Sequence, residues 1–204
     1  MSTVVAPLAY TGSIGLWAFM TTAQTLIIEQ HDYYQKQTFR NRTHIHGANG
    51  KLMLSIPVKH LGIIGRQYYH TVEIENSFTW QKQHWKSIQS AYRSSPYFEF
   101  YEDNLAILYK TDFSSLYTFN KACFELLLKL LGWEPTIQYT ESYETTPAAR
   151  DIRAQIEKKN STPDVALRYT QVFEDKNGFI PNLSIIDLLF NEGPNALILL
   201  NARV

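Results

Sequence analysis

The fold is decided by residues 3–29, whose sequence is TVVAPLAYTGSIGLWAFMTTAQTLIIE. Residues 3–10 form an apolar run of the kind found in strands that are covered on both faces. A glycine-containing loop over 11–15 follows, with a hydroxyl placed to cap a short buried helix over 16–23. Residues 25–29 form a second apolar strand. This succession of strand, tight loop, helix and strand predicts a parallel βαβ unit.

The rest of the chain supplies further elements of both kinds. Strands are predicted over 39–46, 52–58, 71–75 and 137–139, and helices over 80–92, 116–131, 148–158 and 184–190, with the apolar residues 196–200 closing the chain. Asn49-Gly50 predicts a hairpin turn, and Gly132 predicts a helix end. Residues 141–164 are polar and contain two prolines, which is typical of a surface excursion. We therefore predict a single α/β domain over 1–204, with a largely parallel or mixed sheet flanked by helices.

The composition excludes several classes of protein. Of 204 residues, 45% are apolar and only 19% are charged, which is typical of a folded chain with a large core. Lysine plus arginine and aspartate plus glutamate each number 19, so the net charge is zero. This balance favours neither nucleic acid nor an anionic membrane surface as a partner.

The single cysteine and the uncharged N-terminal stretch bear on location. Cys123 lies in an apolar helical pattern, so it is predicted to fill the core, and no internal disulfide can form. A reducing, cytoplasmic compartment is expected. The first charged residue is Glu29, but Pro7 and Gly12 interrupt the apolar run and no basic segment precedes it. We expect a buried strand and helix there instead of a signal peptide or a membrane span.

The stretch from residue 39 to residue 46 is the best candidate for binding chemistry. Strand periodicity places four cationic or imidazole side chains on one face: Arg40, Arg42, His44 and His46. Guanidinium groups bind phosphate or carboxylate through two parallel hydrogen bonds, so this row, with Asn41 between the arginines, predicts an anion cradle. The alternative is a solvated face, or arginines paired with nearby acids such as Asp32.

Three residues are candidates for acid–base chemistry. His31 and Asp32 follow the second predicted strand, and His84 lies on a predicted aromatic helix, on a different face from Trp85. Histidine titrates near neutral pH and suits proton transfer. Exposed histidines without a function are the alternative. His31 and Asp32 together with His44 and His46 form a permissive metal-ligand set, but no His-Glu-x-x-His run supports it, so no metal is assigned.

Several common signatures are absent from the sequence. Residues 12–15 are not a nucleophile elbow, which requires Gly-x-Ser-x-Gly. Residues 47–51 lack the length of a P-loop, and no Gly-x-Gly-x-x-Gly is present. Neither a known hydrolase motif nor a dinucleotide fingerprint identifies the reaction, and the cofactor is unknown.

Three blocks of sequence resemble the WbqC-like family of bacterial proteins, and together they span most of the chain. They are residues 35–58, residues 80–103, and residues 169–194 with the run Gly178-Phe179-Ile180-Pro181-Asn182-Leu183-Ser184-Ile185-Ile186-Asp187-Leu188-Leu189-Phe190-Asn191-Glu192-Gly193-Pro194. The resemblance implies a transferase role in bacterial surface-polysaccharide (O-antigen) biosynthesis. It assigns no roles to the residues that match its motifs: Arg40, Asn41, Arg42, His84, Pro181, Asn182, Ser184 and Asp187.

The order of the predicted elements also resembles that of nucleotidylyltransferases, which have a Rossmann-like fold. Those enzymes carry a His-x-Gly-His turn after the first strand, whereas this chain has Ser13-Ile14-Gly15-Leu16. If the fold is shared, both histidines are missing and the chemistry differs. Fold analogy alone does not assign a function.

These observations lead to one expectation for the site. Open parallel sheets bind ligands at the carboxyl ends of their strands. The loop 11–15 with Ser13, the His31-Asp32 corner and the segment 40–42 are therefore expected to meet in one cleft. Asn182 and Ser184, at a late helix start, are expected to cap that helix first and to add anion-binding amides.

The expected function is a transferase-type enzyme that acts on a small anionic substrate bearing a phosphate or an acyl group, such as a nucleotide sugar or an acyl thioester. The alternative is a non-catalytic binding or scaffold protein of the same pathway. For that alternative, four tyrosines would anchor an interface: Tyr33, Tyr34, Tyr97 and Tyr101. A homo-oligomer is compatible with both functions.

Overall fold

The centre of the structure is a four-stranded parallel sheet. The structure, a computed structural model, describes residues 2–59, 66–157 and 167–202. Its sheet contains β1 (Thr3–Pro7), β2 (Thr25–Glu29), β5 (Thr136–Tyr139) and β6 (Arg150–Asp151), in the order β5-β2-β1-β6. Helix α1 (Ile14–Met20) connects β1 to β2. The predicted βαβ unit is confirmed.

A second sheet is an antiparallel hairpin of β3 (Arg42–Gly47) and β4 (Gly50–Ser55). Two residues, Ala48 and Asn49, connect the strands, and Gly50 follows with φ of 100°. Glycine adopts this left-handed conformation without the clash that a side chain would cause. The predicted hairpin is confirmed, but β3 begins at Arg42, so Arg40 lies in the preceding turn and outside the strand alternation.

Three long helices follow: α2 (Trp80–Tyr92), α3 (Phe98–Lys110) and α4 (Leu116–Leu131). Helix α3 packs against α2 and α4, and α2 also packs against β3 of the hairpin. The first and third have the predicted bounds, and Gly132 ends α4 with φ of 66°. Helix α3 was not predicted from the sequence. Its first residues, Phe98-Glu99-Phe100, alternate aromatic and acidic side chains as a strand does, but burial of Leu105 and Tyr109 against the core stabilises the helix.

Two predicted elements take other forms. The helix predicted over 148–158 is replaced by the short strand β6 and a 3₁₀ turn over Arg153–Ile156. The free edge of β1 recruits this segment, since the Ile152 N–H donates to the Val5 carbonyl at 2.9 Å. The strand predicted over 71–75 is reduced to a 3₁₀ turn, Tyr69–Thr71, followed by two isolated bridges. Residues 158–164 of the predicted surface excursion lie outside the described residues.

The C-terminal helices close the core. They are α5 (Glu174–Asn177), α6 (Ile185–Glu192) and α7 (Asn195–Asn201). Ser13 caps α1 and Ser184 caps α6, each hydroxyl accepting a backbone N–H, as predicted. Cys123 is fully buried in the core, also as predicted. No helix within residues 2–59, 66–157 and 167–202 has the length and apolar character needed to cross a membrane.

Candidate functional site

The candidate site is built around residues 40–42, which run from the parallel sheet to the hairpin. The Tyr10 N–H, just after β1, donates to the Phe39 carbonyl at 2.8 Å. Asn41 is bound to Ile56 twice: the Ile56 N–H donates to the Asn41 carbonyl at 2.8 Å, and the Asn41 side-chain amide donates to the Ile56 carbonyl at 3.0 Å. These bonds hold the segment between the two sheets.

Arg40 is buried, with 1% of its surface exposed. One guanidinium nitrogen, Nη2, donates to the carboxylate of Asp32, and the guanidinium group lies 5.0 Å from the centre of the Tyr69 ring. The Asn120 amide donates to the Arg40 carbonyl at 2.7 Å and to the Tyr69 hydroxyl at 2.6 Å. The structure therefore brings Asp32 and Arg40 together as an ion pair, one of the two arrangements that the sequence left open.

Arg42 lies at the start of β3 and lines a cavity of about 660 Å³, called here the basic cavity. Three cationic side chains line it: Lys36, Arg42 and Lys59. Lys59 is paired with Glu73 at 2.8 Å, so its charge is largely compensated. Asn41, Tyr34, Phe78 and one carboxylate, Glu75, also contribute to the wall. The cavity has the volume of a small-molecule site.

Unpartnered polar atoms concentrate along the same segment. Among the described residues, six buried side-chain nitrogen or oxygen atoms have no hydrogen-bond partner, and five of them belong to Arg40, Asn41, Arg42 and Asn120. Three of the five are guanidinium nitrogens: Nε and Nη1 of Arg40 and Nε of Arg42. Buried donors without partners are rare because each costs about 1–3 kcal/mol. An anion in the basic cavity would meet Arg42, whereas Arg40 does not line that cavity.

The Tyr34 phenol lies close enough to Arg40 and Arg42 to interact electrostatically with both. Its half-buried side chain lines the basic cavity. Burial raises the pKa of the Tyr34 phenol, whereas the positive charges of Arg40 and Arg42 act to lower it. The phenol thus lies in the field of both guanidinium groups, and at neutral pH it is a hydrogen-bond donor.

The first loop meets the late helix start, as the sequence analysis expected. The Ile14 N–H donates to the Leu183 carbonyl at 2.8 Å, and the Gly15 N–H donates to Oδ1 of Asn182 at 2.8 Å. The Ser184 N–H donates to the His44 carbonyl at 2.8 Å, which brings β3 to the same place. Asn182 has φ of 52°, a conformation that asparagine tolerates better than most residues.

Hydroxyl groups fill the contact between the loop and the helix. The Thr11 hydroxyl lies 2.9 Å from the Thr43 hydroxyl and 2.7 Å from the Ser184 hydroxyl, and all three residues are buried. Thr11 has φ of 57°, which is strained for a β-branched residue. The cavity at this loop has a volume of only about 10 Å³. Ser13 and Ser184 therefore hold the fold together here, and their predicted role in ligand binding stays a prediction.

A second cavity, of about 470 Å³, lies at the carboxyl ends of β2 and β5 and is called here the sheet-end cavity. Glu29 and Arg153 form its charged wall. The Glu29 carboxylate accepts hydrogen bonds from the His31 N–H at 2.7 Å, the Thr140 hydroxyl at 3.0 Å and Nη1 of Arg153 at 2.9 Å. Arg153 also pairs with Asp151 at 2.7 Å. Glu29 and Arg153 thus satisfy each other, whereas two further acids that line the cavity, Glu141 and Glu144, have no ion-pair partner among the described residues.

The predicted cleft is thus brought together only in part. Asp32 contacts Arg40, and the first loop contacts Asn182 and Ser184. The half-buried His31 ring packs edge-on against His70, with 6.0 Å between the ring centres. His31, Arg40 and Arg42 therefore have different immediate neighbours.

His84 is buried and bonded through both ring nitrogens. Its Nδ1 lies 2.9 Å from the Tyr10 hydroxyl, which lies 2.9 Å from the Tyr109 hydroxyl. Burial lowers the pKa of His84 to about 4, although a hydrogen bond to the Ser55 carbonyl acts to raise it. The imidazole is neutral at physiological pH. Ser55 lines the basic cavity, so His84 reaches that cavity through the backbone of β4.

The two histidines of β3, His44 and His46, lie in different surroundings. His44 packs edge-on against Phe39, with ring centres 5.7 Å apart. His46 is fully buried, and its Nδ1 lies 3.1 Å from Oε1 of Gln171. Burial lowers the pKa of His46, while the bond to Gln171 acts in the opposite direction. Within the described ranges, no group of three or more His, Cys, Asp or Glu side chains is arranged to hold a metal ion.

Asp187 in α6 is a buried acid away from both cavities. Its Oδ2 accepts a hydrogen bond from the Tyr169 hydroxyl at 3.3 Å, while Oδ1 has no partner among the described residues. Burial raises the pKa of Asp187 to about 7, against the effect of hydrogen bonds from Tyr169 and Tyr92. The carboxyl group is therefore partly protonated at neutral pH.

Only Asn41 and Arg42 of the basic cavity were predicted as binding residues; Lys36, Glu75 and Phe78 were not predicted, and Tyr34 was expected at an interface instead. Lys36 gave a signal, because it lies four residues before Arg40 in the first block of the family resemblance. Glu75 and Phe78 gave none, since only the pairing of residues 57–59 with residues 73–75 brings them to Arg42.

The parallel sheet, the hairpin and the basic cavity at the open end of the hairpin define an α/β protein with a cavity of small-molecule size. The family model of the WbqC-like protein family matches residues 9–162 and 148–198. The chain belongs to the WbqC-like protein family, which confirms the resemblance. It is similar to the uncharacterized protein Rv1507c of Mycobacterium tuberculosis, with 23% identity over 209 residues that cover 89% of this chain and 90% of that protein. No solved structure matches the chain.

Proposed function

We propose that this protein is a transferase-type enzyme that acts on a small phosphate- or acyl-bearing substrate in bacterial surface-polysaccharide (O-antigen) precursor biosynthesis. One observation carries the proposal: Arg42 lines the basic cavity, and its buried Nε has no hydrogen-bond partner among the described residues. The resemblance to O-antigen proteins supports the pathway. The reduced and buried Cys123 supports a cytoplasmic location.

In this proposal Arg42 and Lys36 bind the anionic group of the substrate, because both line the basic cavity and neither has a carboxylate partner among the described residues. Asn41 and Tyr34 supply hydrogen bonds from the same wall. Arg40 is held in place by its ion pair with Asp32 and adds a positive electrostatic potential near the site. His84 acts as a positioning residue through the Ser55 carbonyl. His31 was predicted for proton transfer, but its ring packs on His70 and lines neither cavity, so the proposal gives it no role.

A ligand screen tests the anion site. The full chain is melted with inorganic phosphate, nucleotides, nucleotide sugars and acyl thioesters; a ligand at ~100 times its Kd adds about 2.7 kcal/mol of stability. Arg42→Ala is expected to lose at least tenfold in affinity for the ligand found, because hydrogen bonds to charged groups contribute about 1.5–3 kcal/mol. Arg93→Ala is the matched control, since Arg93 is exposed at the end of α2 and lines neither cavity. Unchanged binding by Arg42→Ala would refute the anion site.

An exposed aromatic patch favours the second candidate, a non-catalytic binding or scaffold protein. Tyr33 stacks on the exposed Tyr68 with 4.8 Å between ring centres, and Tyr68 stacks on His70 with 5.6 Å. Aromatic side chains of this kind anchor protein interfaces. Incubating the chain with the ligand found and an acceptor sugar separates the candidates. Product formation supports the enzyme, whereas binding without turnover, together with self-association that Tyr68→Ala abolishes, supports the scaffold.

A further inference from the structure

We infer that the substrate of the basic cavity is a nucleotide, bound with its phosphate on Arg42, its sugar hydroxyls on Glu75 and its base on Phe78. The inference rests on the proposed function and names the chemical class of its substrate. It is drawn from the three parts of the wall of the basic cavity, which differ in charge and polarity.

The carboxylate of Glu75 lines the same cavity as Arg42 and Lys59. Hydrogen bonds from the Ser77 backbone N–H and hydroxyl lower the pKa of Glu75, and Lys59 also acts to lower it, so the group is ionised at neutral pH. The backbone is fixed as well, since the Glu75 N–H donates to the Pro57 carbonyl at 2.9 Å. An ionised carboxylate repels phosphate but accepts hydrogen bonds from neighbouring hydroxyls. A ligand that carries both phosphate and sugar hydroxyls suits a wall with both signs of charge.

Phe78 supplies a surface for stacking. Its side chain is 62% exposed, although it lines the basic cavity. A base stacks on such a ring through its π-face, and the contact tolerates any base. Pro57 and Val58, which are half-buried, also line the cavity and add apolar surface. The exposed ring therefore distinguishes a ligand with an aromatic base from a simple sugar phosphate.

The volume of the cavity agrees with this class. A space of about 660 Å³ lies within the usual range of small-molecule sites, about 300–1,000 Å³. That space suits a nucleoside mono- or diphosphate, whereas inorganic phosphate would occupy only a small part of it. Glu75 and Phe78 line the same space as Arg42.

Isothermal titration of the full chain tests the inference with five probes: inorganic phosphate, glucose 1-phosphate, uridine, UMP and AMP. UMP and AMP are expected to bind more tightly than the other three. Phe78→Ala is expected to weaken both nucleotides about 5- to 150-fold and to leave phosphate unchanged, because base stacking on an aromatic ring contributes that ratio. Phe100→Ala is the matched control, since Phe100 is 74% exposed on α3 and lines neither cavity. Glu75→Gln is expected to weaken nucleotides without weakening phosphate.

The outcomes separate this inference from the proposed function. Loss of phosphate binding by Arg42→Ala would support the anion site. With that result, the nucleotide class would still be wrong in either of two cases: the parent binds glucose 1-phosphate as tightly as UMP, or Phe78→Ala binds UMP as tightly as the parent does. If neither nucleotide binds the parent at millimolar concentration, the inference is overturned. If Arg42→Ala retains all ligands, the proposed function fails as well. Thermal melts of each variant verify that it is folded.

Discussion

Replacement of Asp187 by asparagine is expected to change how the stability of this protein depends on pH. Burial raises the pKa of this carboxyl to about 7 in the folded chain, against an ordinary value of 3.8. The folded state therefore binds the proton more tightly than the unfolded state does. The stability that the protonated carboxyl contributes is complete below about pH 4, is lost as the pH rises toward 7, and stays lost above it.

The two pKa values set the size of the effect at about 4 kcal/mol in full, of which about 3 kcal/mol falls between pH 5 and pH 8. The asparagine side chain carries no titrating group, and its amide oxygen can accept the tyrosine hydroxyl bond that the Asp187 carboxyl accepts. The free energy of unfolding of Asp187→Asn, minus that of the parent, should therefore rise by about 3 kcal/mol from pH 5 to pH 8.

Urea unfolding at both pH values measures this difference, and because it compares variant with parent, titration of all other groups cancels. Asp175→Asn is the control, since Asp175 is exposed in α5. A difference between Asp187→Asn and the parent that does not change with pH would refute the reasoning. A difference that falls as the pH rises would show that Asp187 is stabilised as a carboxylate.

Three further predictions concern the buried contacts. Arg40→Ala should lower the free energy of unfolding by about 3–5 kcal/mol in urea titration, because its carboxylate partner is left unpaired; a loss below about 1 kcal/mol would contradict it. Ser184→Ala removes a helix cap and should lower stability by about 0.5–2 kcal/mol, so an unchanged melting temperature would exclude that role. Gly12→Ala should lower the melting temperature more than Gly178→Ala does. Both glycines have a positive φ, 73° and 74°, so both variants carry a similar backbone strain. Only at Gly12 would the new Cβ also meet a neighbour, Nε1 of Trp17 at 2.8 Å. Equal effects at the two glycines would contradict the contact argument.

Local patterns in the sequence determined the secondary structure of the core. The run 3–29 specifies strand, loop, helix and strand because its apolar periodicity and its two glycines act over neighbouring residues. The bounds of α2 and α4 followed from helical periodicity and, for α4, from the terminal Gly132. Family membership followed from the motifs themselves. Each of these features depends on residues that are close in the chain.

The tertiary structure alone decided where the functional groups lie. Strand periodicity predicted that Arg40 and Arg42 share a face, yet the ion pair with Asp32 buries Arg40 in a turn while Arg42 opens into the basic cavity. Glu75 and Phe78 reach that cavity through long-range pairing that no local pattern encodes. The physical reason is that burial and Coulomb interactions depend on distances in space. Residues far apart in the chain set those distances only once the core has formed.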